Sequence, residues 1–282
     1  MLHLNAHSYF SLLAGLPAPG HLAAAAAQAG QPAIALTDHN RLTGAVEFAE
    51  ACAQYGVKAI FGLHVRTESG LALVLLAQTA EGWASLCRLS SWLLSEENNE
   101  GRPLPLSILR EHSRGLLCLA AHALDPSRAE FAPPSQELTQ LKSLFAEGLY
   151  IQLPPQAGQA AAAATASKLG LPAVACWPIY YLQPAQADLQ RTLAAMRLNT
   201  TRTRLPPEAL APPHAHFASN AELSAAYAAY PTALAAAQEI AARCHFTLEL
   251  NKPNYPQLEL PSGQTPLQAL REPTLQGGAR LY

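Results

Sequence analysis

Four histidines in this sequence each follow a short apolar run, at the point where a buried strand would end. An imidazole nitrogen in such a place can bind a metal ion or move a proton near neutral pH. In folds that alternate strands and helices, ligands and reacting groups collect at the carboxyl ends of the strands. The four positions are His7, His39, His64 and His122.

The clearest of these places is the segment 33–44, which changes from apolar strand to polar loop to helix. Ala33–Leu36 is an apolar run of the kind that a strand covered on both faces requires, and helical spacing begins at Gly44. The polar residues 37–40 therefore lie at the carboxyl end of this strand. The alternative is that Asp38 caps the following helix and that His39 has no chemical role.

A second pattern places donors on one face of the first strand. Residues 2–7 alternate between apolar and polar side chains, so His3, Asn5 and His7 are expected on the same side of a strand. Three nitrogen or oxygen donors that converge near a strand's end are typical of a metal site. The alternative is a half-exposed edge strand with no ligand.

The elements that must position these side chains alternate along the chain. Alternation with short connections predicts a parallel sheet, and enough units are present to close a barrel. After Pro184 the pattern changes to helices, with a proline-rich connector over 205–213 and a strand over 246–250. Before that point strands are predicted over 2–7, 33–36, 57–61, 71–76, 115–121, 149–153 and 173–177, and helices over 21–29, 44–55, 81–94, 106–112, 137–146 and 160–169.

Composition excludes several classes of protein. With 50% hydrophobic and 13% charged residues over 282 positions, the chain has ample material for a globular core. A net charge of -2 and a pI near 6.5 argue against strong binding to nucleic acid by this chain alone. The five cysteines are widely spaced and include no C-x-x-C pair, which favours reduced thiols in a cytoplasmic protein. No signal peptide and no apolar run of membrane-spanning length is recognised.

With these residues in view, the chain resembles the PHP domain at the amino terminus of bacterial DNA polymerase III α subunits, more closely the error-prone type. The resemblance rests on residues 7–15, on residues 36–46, on the segment 56–62 and on the tail from Tyr230 to Tyr282. It implies an α/β fold, a distorted seven-stranded (β/α) barrel similar to a TIM barrel, with a small helical extension at the carboxyl end. It places the barrel in residues 1–200 and the extension, which leads toward a polymerase core, in residues 201–282.

The resemblance also implies a set of metal-ligand positions, and most of them are altered in this sequence. Two of the family's positions keep a histidine at His7 and His39, a position where the family has a glutamate falls on His64, and a strand-end position where the family has cysteine or histidine falls on His122. Asn5 takes a histidine's place, and Asn5 and Asp38 are expected at most to bind weakly or to orient the ligands. The positions where a ligand is lost are Ala14, Ala72, Pro178 and Tyr180.

The missing carboxylates limit the metal chemistry. A site with two or three divalent ions needs carboxylates that offset the mutual repulsion of the ions, and every carboxylate that the family supplies is absent. Four neutral imidazoles can complete a tetrahedral set for a single ion. We therefore expect either no cofactor or one zinc- or manganese-like ion on His7, His39, His64 and His122.

Two functions follow from this comparison. The first is a non-catalytic structural or interaction module of an error-prone polymerase in DNA replication and repair, with the polymerase core or accessory mutagenesis proteins as partners and with DNA contacted only indirectly. The second is a metal-dependent phosphoesterase or 3′ to 5′ exonuclease with one ion, in which Arg41 or Arg66 steadies phosphate. The first is favoured, no catalytic residue is assigned, and no polymerase activity is expected from this chain alone.

Overall fold

Strands and helices alternate through the first two thirds of the chain, as the sequence predicts, and they form one strongly curled sheet with helices around it. The computed structural model describes residues 1–95, 102–121, 135–212, 214–250, 252, 259–260 and 263–281. In this described part of the chain the strands are β1 (His3–Ala6), β2 (Ala33–Leu36), β3 (Lys58–Arg66), β4 (Ala72–Ala77), β5 (Leu116–Ala121), β6 (Leu149–Leu153), β7 (Ala173–Ala175) and β8 (Pro178–Ile179).

The helices begin and end at the residues that local chemistry favours. Pro19 stands at the start of α1, the Thr79 hydroxyl accepts the Gly82 N–H at the start of α3, and Gly56 ends α2 in the left-handed conformation. Among the described residues the helices are α1 (Pro19–Gln28), α2 (Ala45–Tyr55), α3 (Ala80–Leu93), α4 (Leu106–Glu111), α5 (Ser135–Phe145), α6 (Gln159–Leu169), α7 (Ala187–Arg197), α8 (Asn220–Ala226), α9 (Pro231–Arg243) and α10 (Pro266–Leu281).

The sheet has the order β7-β6-β5-β4-β3-β2-β1-β8. All neighbouring strands run parallel except β4, which is antiparallel to both β3 and β5. The two edge strands follow each other in sequence, and Ala175 and Pro178 can be at most about 11 Å apart. The edges of the sheet must therefore approach each other, which gives the distorted barrel that was predicted, with eight described strands in place of seven.

One cluster of buried side chains fills the concave side of the curled sheet. It takes residues from each of β1 to β7, among them Leu4, Ile60 and Leu119, together with Ile240 from α9. The opposite face of β1 and β2 packs on α1 and α2 through residues such as Ile34 and Phe48. Helix α9 thus covers part of the barrel interior, although it lies far along the chain from the first strands.

The chain divides into two compact units. The first comprises residues 1–248 and contains the whole sheet, and the second comprises residues 249–282 and contains α10. The barrel boundary expected at residue 200 stays a prediction. No described helix combines the length and the hydropathy needed to cross a membrane.

The prediction of a strand over 246–250 is wrong, because this segment makes no ladder with the sheet. The N–H groups of His245 and Phe246 both donate to the carbonyl of Gln78, and the Phe246 ring stacks on Trp83 at 5.3 Å. Phe246 is therefore half-buried by aromatic packing rather than by strand pairing. All five cysteines are free thiols, as predicted.

Candidate functional site

Three of the predicted histidines meet at the carboxyl end of the parallel strands. His7 directly follows β1, His39 lies three residues beyond β2, and His64 lies near the end of β3. We call His7, His39 and His64 the histidine cluster. One ligand nitrogen from each lies within 4.8 Å of the others. His122, the fourth predicted ligand, lies outside the described residues.

The loop after β2 is held in place by β3. The N–H of Asn40 donates to the carbonyl of His64 at 3.1 Å, and the N–H of His64 donates to the carbonyl of Asp38 at 3.1 Å. Asn40 has a φ of 58°, in the left-handed region that asparagine tolerates better than most residues. This turn brings the His39 ring to 4.6 Å from the His64 ring.

Asp38 is a buried carboxylate that organises the loop after β1. One oxygen accepts the Ser8 N–H and the Ser11 hydroxyl, both at 2.7 Å, and the other accepts the Ser8 hydroxyl at 2.7 Å. Burial raises the pKa of the Asp38 carboxyl, and the hydrogen bonds from Ser11 and Ser8 oppose that rise. Asp38 therefore reaches the histidine cluster through Ser11 rather than as a ligand.

Ser11 fixes the proton positions in the cluster. Its single O–H donates to Asp38, and its oxygen also accepts the backbone N–H of His39 at 3.0 Å. His7 Nδ1, at 3.2 Å from the same oxygen, must therefore be the protonated nitrogen. His7 Nε2 is left to accept the Nδ1–H of His64 at 3.2 Å.

Tyr180, which directly follows β8, contacts two members of the histidine cluster. Its ring stacks on His7 with centroids 4.1 Å apart, and its hydroxyl lies 3.0 Å from His39 Nε2. Burial raises the pKa of the Tyr180 phenol, so the hydroxyl keeps its proton at neutral pH. A tyrosine at a predicted lost-ligand position thus bonds to one of the remaining ligands.

The imidazoles are neutral at pH 7. Burial lowers the pKa of His7 and of His64 well below the usual value, and neighbouring imidazoles lower both further. Burial, and then the charges of Arg66 and Arg197, lower the pKa of His39 to about 3. Neutral imidazole is the form that binds a metal ion.

The other predicted positions surround the cluster without adding a donor for a metal. Ala14 packs with Tyr180, Tyr181 and Ala215 in a small apolar cluster. Pro178 pairs with Asn5 across β8 and β1, and the amide oxygen of Asn5 accepts the Thr37 hydroxyl at 3.0 Å.

His3 does not join His7 on one face, so that prediction is wrong. The pairing register of β1 shifts between His3 and Ala6, and His3 Nε2 instead lies 3.0 Å from the Ala218 carbonyl. The His3 ring packs against Phe217 at 4.6 Å. A register shift of one residue moves the following side chains to the other face of the strand. The alternation of apolar and polar residues in the sequence cannot show such a shift.

The three imidazoles of the histidine cluster lie close enough together that they could hold a metal ion. Zinc–nitrogen bonds of about 2.0 to 2.1 Å in a tetrahedral site place the nitrogens about 3.3 Å apart. The three nitrogens here would need to contract from within 4.8 Å, and His64 would have to release its hydrogen bond to His7. No carboxylate of the described residues joins the cluster, so nothing here offsets the charge of a second ion.

Known proteins are similar to this chain over most of its length. A family model described as the PHP domain matches residues 3–154. The error-prone DNA polymerase of Mycobacterium bovis is 32% identical over 306 aligned residues, which cover 99% of this chain and 28% of that protein. The DNA polymerase III subunit alpha of Chlamydia trachomatis is 30% identical, over 90% of this chain and 25% of its own length.

A solved structure is similar at lower identity. A protein of Bifidobacterium adolescentis assigned as a metal-dependent phosphoesterase aligns at 16% identity with a TM-score of 0.45, over 62% of this chain and 86% of that chain. The chain spans about a quarter of the length of the two polymerase relatives.

Proposed function

This chain belongs to the PHP domain family, and we propose that it is the PHP module of an error-prone DNA polymerase type of protein, with a structural rather than a hydrolytic histidine cluster. The observation that carries this proposal is the bonding of the cluster. Each imidazole already has a partner: Ser11 and His64 for His7, and Tyr180 for His39. These bonds connect β1, β2, β3 and β8, so the cluster ties four strands together at one end of the barrel.

The positions of the altered ligands support a loss of hydrolysis. Active sites that hydrolyse phosphate esters with several metals depend on carboxylates that hold the ions. Here Ala14 and Tyr180 pack together in an apolar cluster, and Pro178 lies in β8. The side chains at these altered ligand positions are apolar, apart from one phenol that keeps its proton.

A metal site with one ion is the second candidate, and the proximity of the three ligand nitrogens favours it. In that case His7, His39 and His64 would hold the ion. When bound, a divalent ion would supply Lewis-acid polarisation of a phosphoryl oxygen. Tyr180 could then donate a hydrogen bond from the edge of the site.

The partner in this proposal is the polymerase core, or an accessory mutagenesis protein, in the cytoplasm. Support comes from the relatives, because their aligned segments are about a quarter of longer proteins named as DNA polymerases. The chain's net charge of -2 favours contact with DNA through that partner. Co-purification with the remainder of a related polymerase, expressed without its own aligned segment, tests this part.

Elemental analysis of protein purified without chelator tests the structural role of the cluster. We expect much less than one manganese, zinc or iron per chain, and no hydrolysis of a phosphodiester such as bis-p-nitrophenyl phosphate. The comparison is with His39→Ala, and the matched control is His21→Ala, because His21 is an exposed histidine on α1. One ion per chain that disappears in His39→Ala, together with hydrolysis that disappears with it, would establish the second candidate instead.

A further inference from the structure

Among the described residues, four buried side-chain atoms have no hydrogen-bond partner, and they belong to only three residues. These atoms are Nδ1 of His3, Oε1 and Nε2 of Gln31, and Oδ1 of Asn220. Buried polar groups in native proteins are almost always bonded, either to other protein groups or to ordered water. The three side chains therefore need a partner that the described part of the protein does not supply.

The three side chains lie in one region, because each is bonded to or paired with the segment that carries another. Asn220 Nδ2 donates to the Ala29 carbonyl at 2.8 Å, two residues before Gln31. His3 Nε2 lies 3.0 Å from the Ala218 carbonyl, two residues before Asn220. In the pairing of β1 with β2, His3 lies opposite a residue that follows Gln31 by three positions. The region is thus at the amino ends of β1 and β2.

Gln31 occupies a position where an apolar side chain is usual. The N–H of Gly30 donates to the Ala27 carbonyl at 3.0 Å, and the N–H of Gln31 donates to the Ala26 carbonyl at 2.9 Å. These two bonds form a Schellman motif at the end of α1, in which the residue after the glycine commonly makes a hydrophobic contact. Gln31 is only 2% exposed. Burial of an amide without partners is costly, so a ligand that bonds to this amide would stabilise the fold.

Most of the four atoms are hydrogen-bond acceptors. His3 Nε2 faces a carbonyl and therefore carries the ring proton, which leaves Nδ1 with a lone pair. Oε1 of Gln31 and Oδ1 of Asn220 also accept, whereas Nε2 of Gln31 has two N–H donors. The partner must therefore donate to three acceptors and accept from one amide. A water molecule has two hydrogens to donate, so a single water is not enough.

We propose that the amino ends of β1 and β2 hold a buried water site, in which at least two ordered water molecules bridge Gln31, Asn220 and His3. Water fits this set because each molecule both donates and accepts, and internal waters typically make about three bonds to groups that lack other partners. The waters join β1, the turn after α1 and the start of α8, which are far apart in sequence. The site lies at the opposite end of β1 from the histidine cluster and is independent of the function of that cluster.

Nuclear magnetic resonance of the full chain, labelled with ¹⁵N, tests the site in solution. We expect cross-peaks between water and the side-chain amide protons of Gln31 and Asn220. Their signs should be opposite in laboratory-frame and rotating-frame Overhauser spectra, as for a water that stays bound. The cross-peak at Asn220 should disappear in Gln31→Met, which keeps a long side chain but removes the amide. Absence of either cross-peak from the wild-type spectra would overturn the site.

Urea denaturation of Gln31→Met is an independent test, because a hydrated site and a dry site predict shifts of opposite sign. If waters are bound, the substitution removes their partner and leaves His3 and Asn220 unpaired, so the midpoint should fall by about 0.3–1 M. If the site is dry, the substitution removes a costly amide. A midpoint equal to or above that of the wild type would therefore overturn the proposal. Gln28→Met is the matched control: Gln28 is exposed at the end of α1, and its midpoint should not change.

Discussion

Ser11 determines which imidazole nitrogens carry protons at the centre of this protein. It links the Asp38 carboxylate to His7, and through His7 to His64, in one chain of hydrogen bonds. The residue types in the sequence indicated the histidines but not these hydrogen bonds. A serine in a loop carries no periodic signal, and its partner Asp38 lies 27 positions away.

The predicted ligands and the lost-ligand positions differ in how far the sequence could reveal them. His7, His39 and His64 follow apolar runs, so strand ends brought them together as expected. The bond between Tyr180 and His39 could not be predicted, because β8 has only two residues and its place beside β1 depends on closure of the whole sheet.

The buried histidines should make the protein sensitive to acid. Burial lowers the pKa of His3 to about 4 and of His39 to about 3, and the pKa values of His7 and His64 also lie well below 6.5. Below pH 6.5 the unfolded chain takes up protons on these four side chains that the folded chain does not. The free energy of unfolding should therefore fall by about 5 kcal/mol between pH 7.5 and pH 5.5.

Urea denaturation at a series of pH values measures how the free energy of unfolding depends on pH. The variant His39→Gln should reduce the fall by about one quarter, because one of the four groups no longer titrates. His21→Gln, at an exposed position on α1, should keep the wild-type slope because that side chain stays in water in both states. The raised pKa of Asp38 acts with the opposite sign at more acid pH. A stability that does not change from pH 7.5 to 5.5 would contradict the burial of neutral imidazoles.

At the scale of elements, local pattern predicted most helices and strands but not the direction of β4. The segments 57–61 and 71–76 were recognised as strands, yet β3 extends to Arg66 and forms an antiparallel pair with β4. Short strands have the same pattern in either direction, since direction depends on the connection and on the neighbours. The antiparallel pair is what places Ala72 opposite Arg66 at the mouth of the barrel.

The loop between β1 and α1 depends on a close approach at Gly15. A Cβ atom at position 15 would lie 2.1 Å from the carbonyl oxygen of Ser8, which is backbone and cannot turn aside. Gly15→Ala should therefore displace the loop that carries Ser8 and Ser11, and lower stability by about 2–3 kcal/mol. Chemical denaturation gives the value.

Gly20→Ala is the matched control for this substitution. Gly20 lies in α1, where a new Cβ would meet Ala51 at 3.8 Å, an ordinary contact. Alanine in a helix is favoured over glycine by about 0.5–1 kcal/mol, so this variant should be at least as stable as the wild type. Equal stability of the two variants would show that the loop adapts without cost.

At the scale of the molecule, residues far apart in sequence complete the barrel. The side chains that fill its concave side come from β1 to β7 and from α9, which follows the last strand by about fifty residues. The helical pattern predicted after Pro184 agrees with α9, but it gave no information on where that helix packs. Tertiary packing decides that place, because Ile240 needs an apolar surface and the interior of the barrel offers one.

Truncation distinguishes the extent of the family's barrel from the extent of the folding unit. A chain that ends at Leu248 keeps every member of the concave cluster, and no described side chain beyond it is buried. We expect its thermal unfolding midpoint to lie within about 4 °C of the full chain, the shift that about 1 kcal/mol produces at this size.

A chain that ends at Thr200 lacks α9, so Ile240 and its neighbours no longer cover Leu4 and Leu119. It should show no cooperative transition in near-ultraviolet circular dichroism. Cooperative unfolding of this shorter chain would instead place the boundary of the unit at residue 200, and would make α9 an accessory helix rather than part of the barrel core.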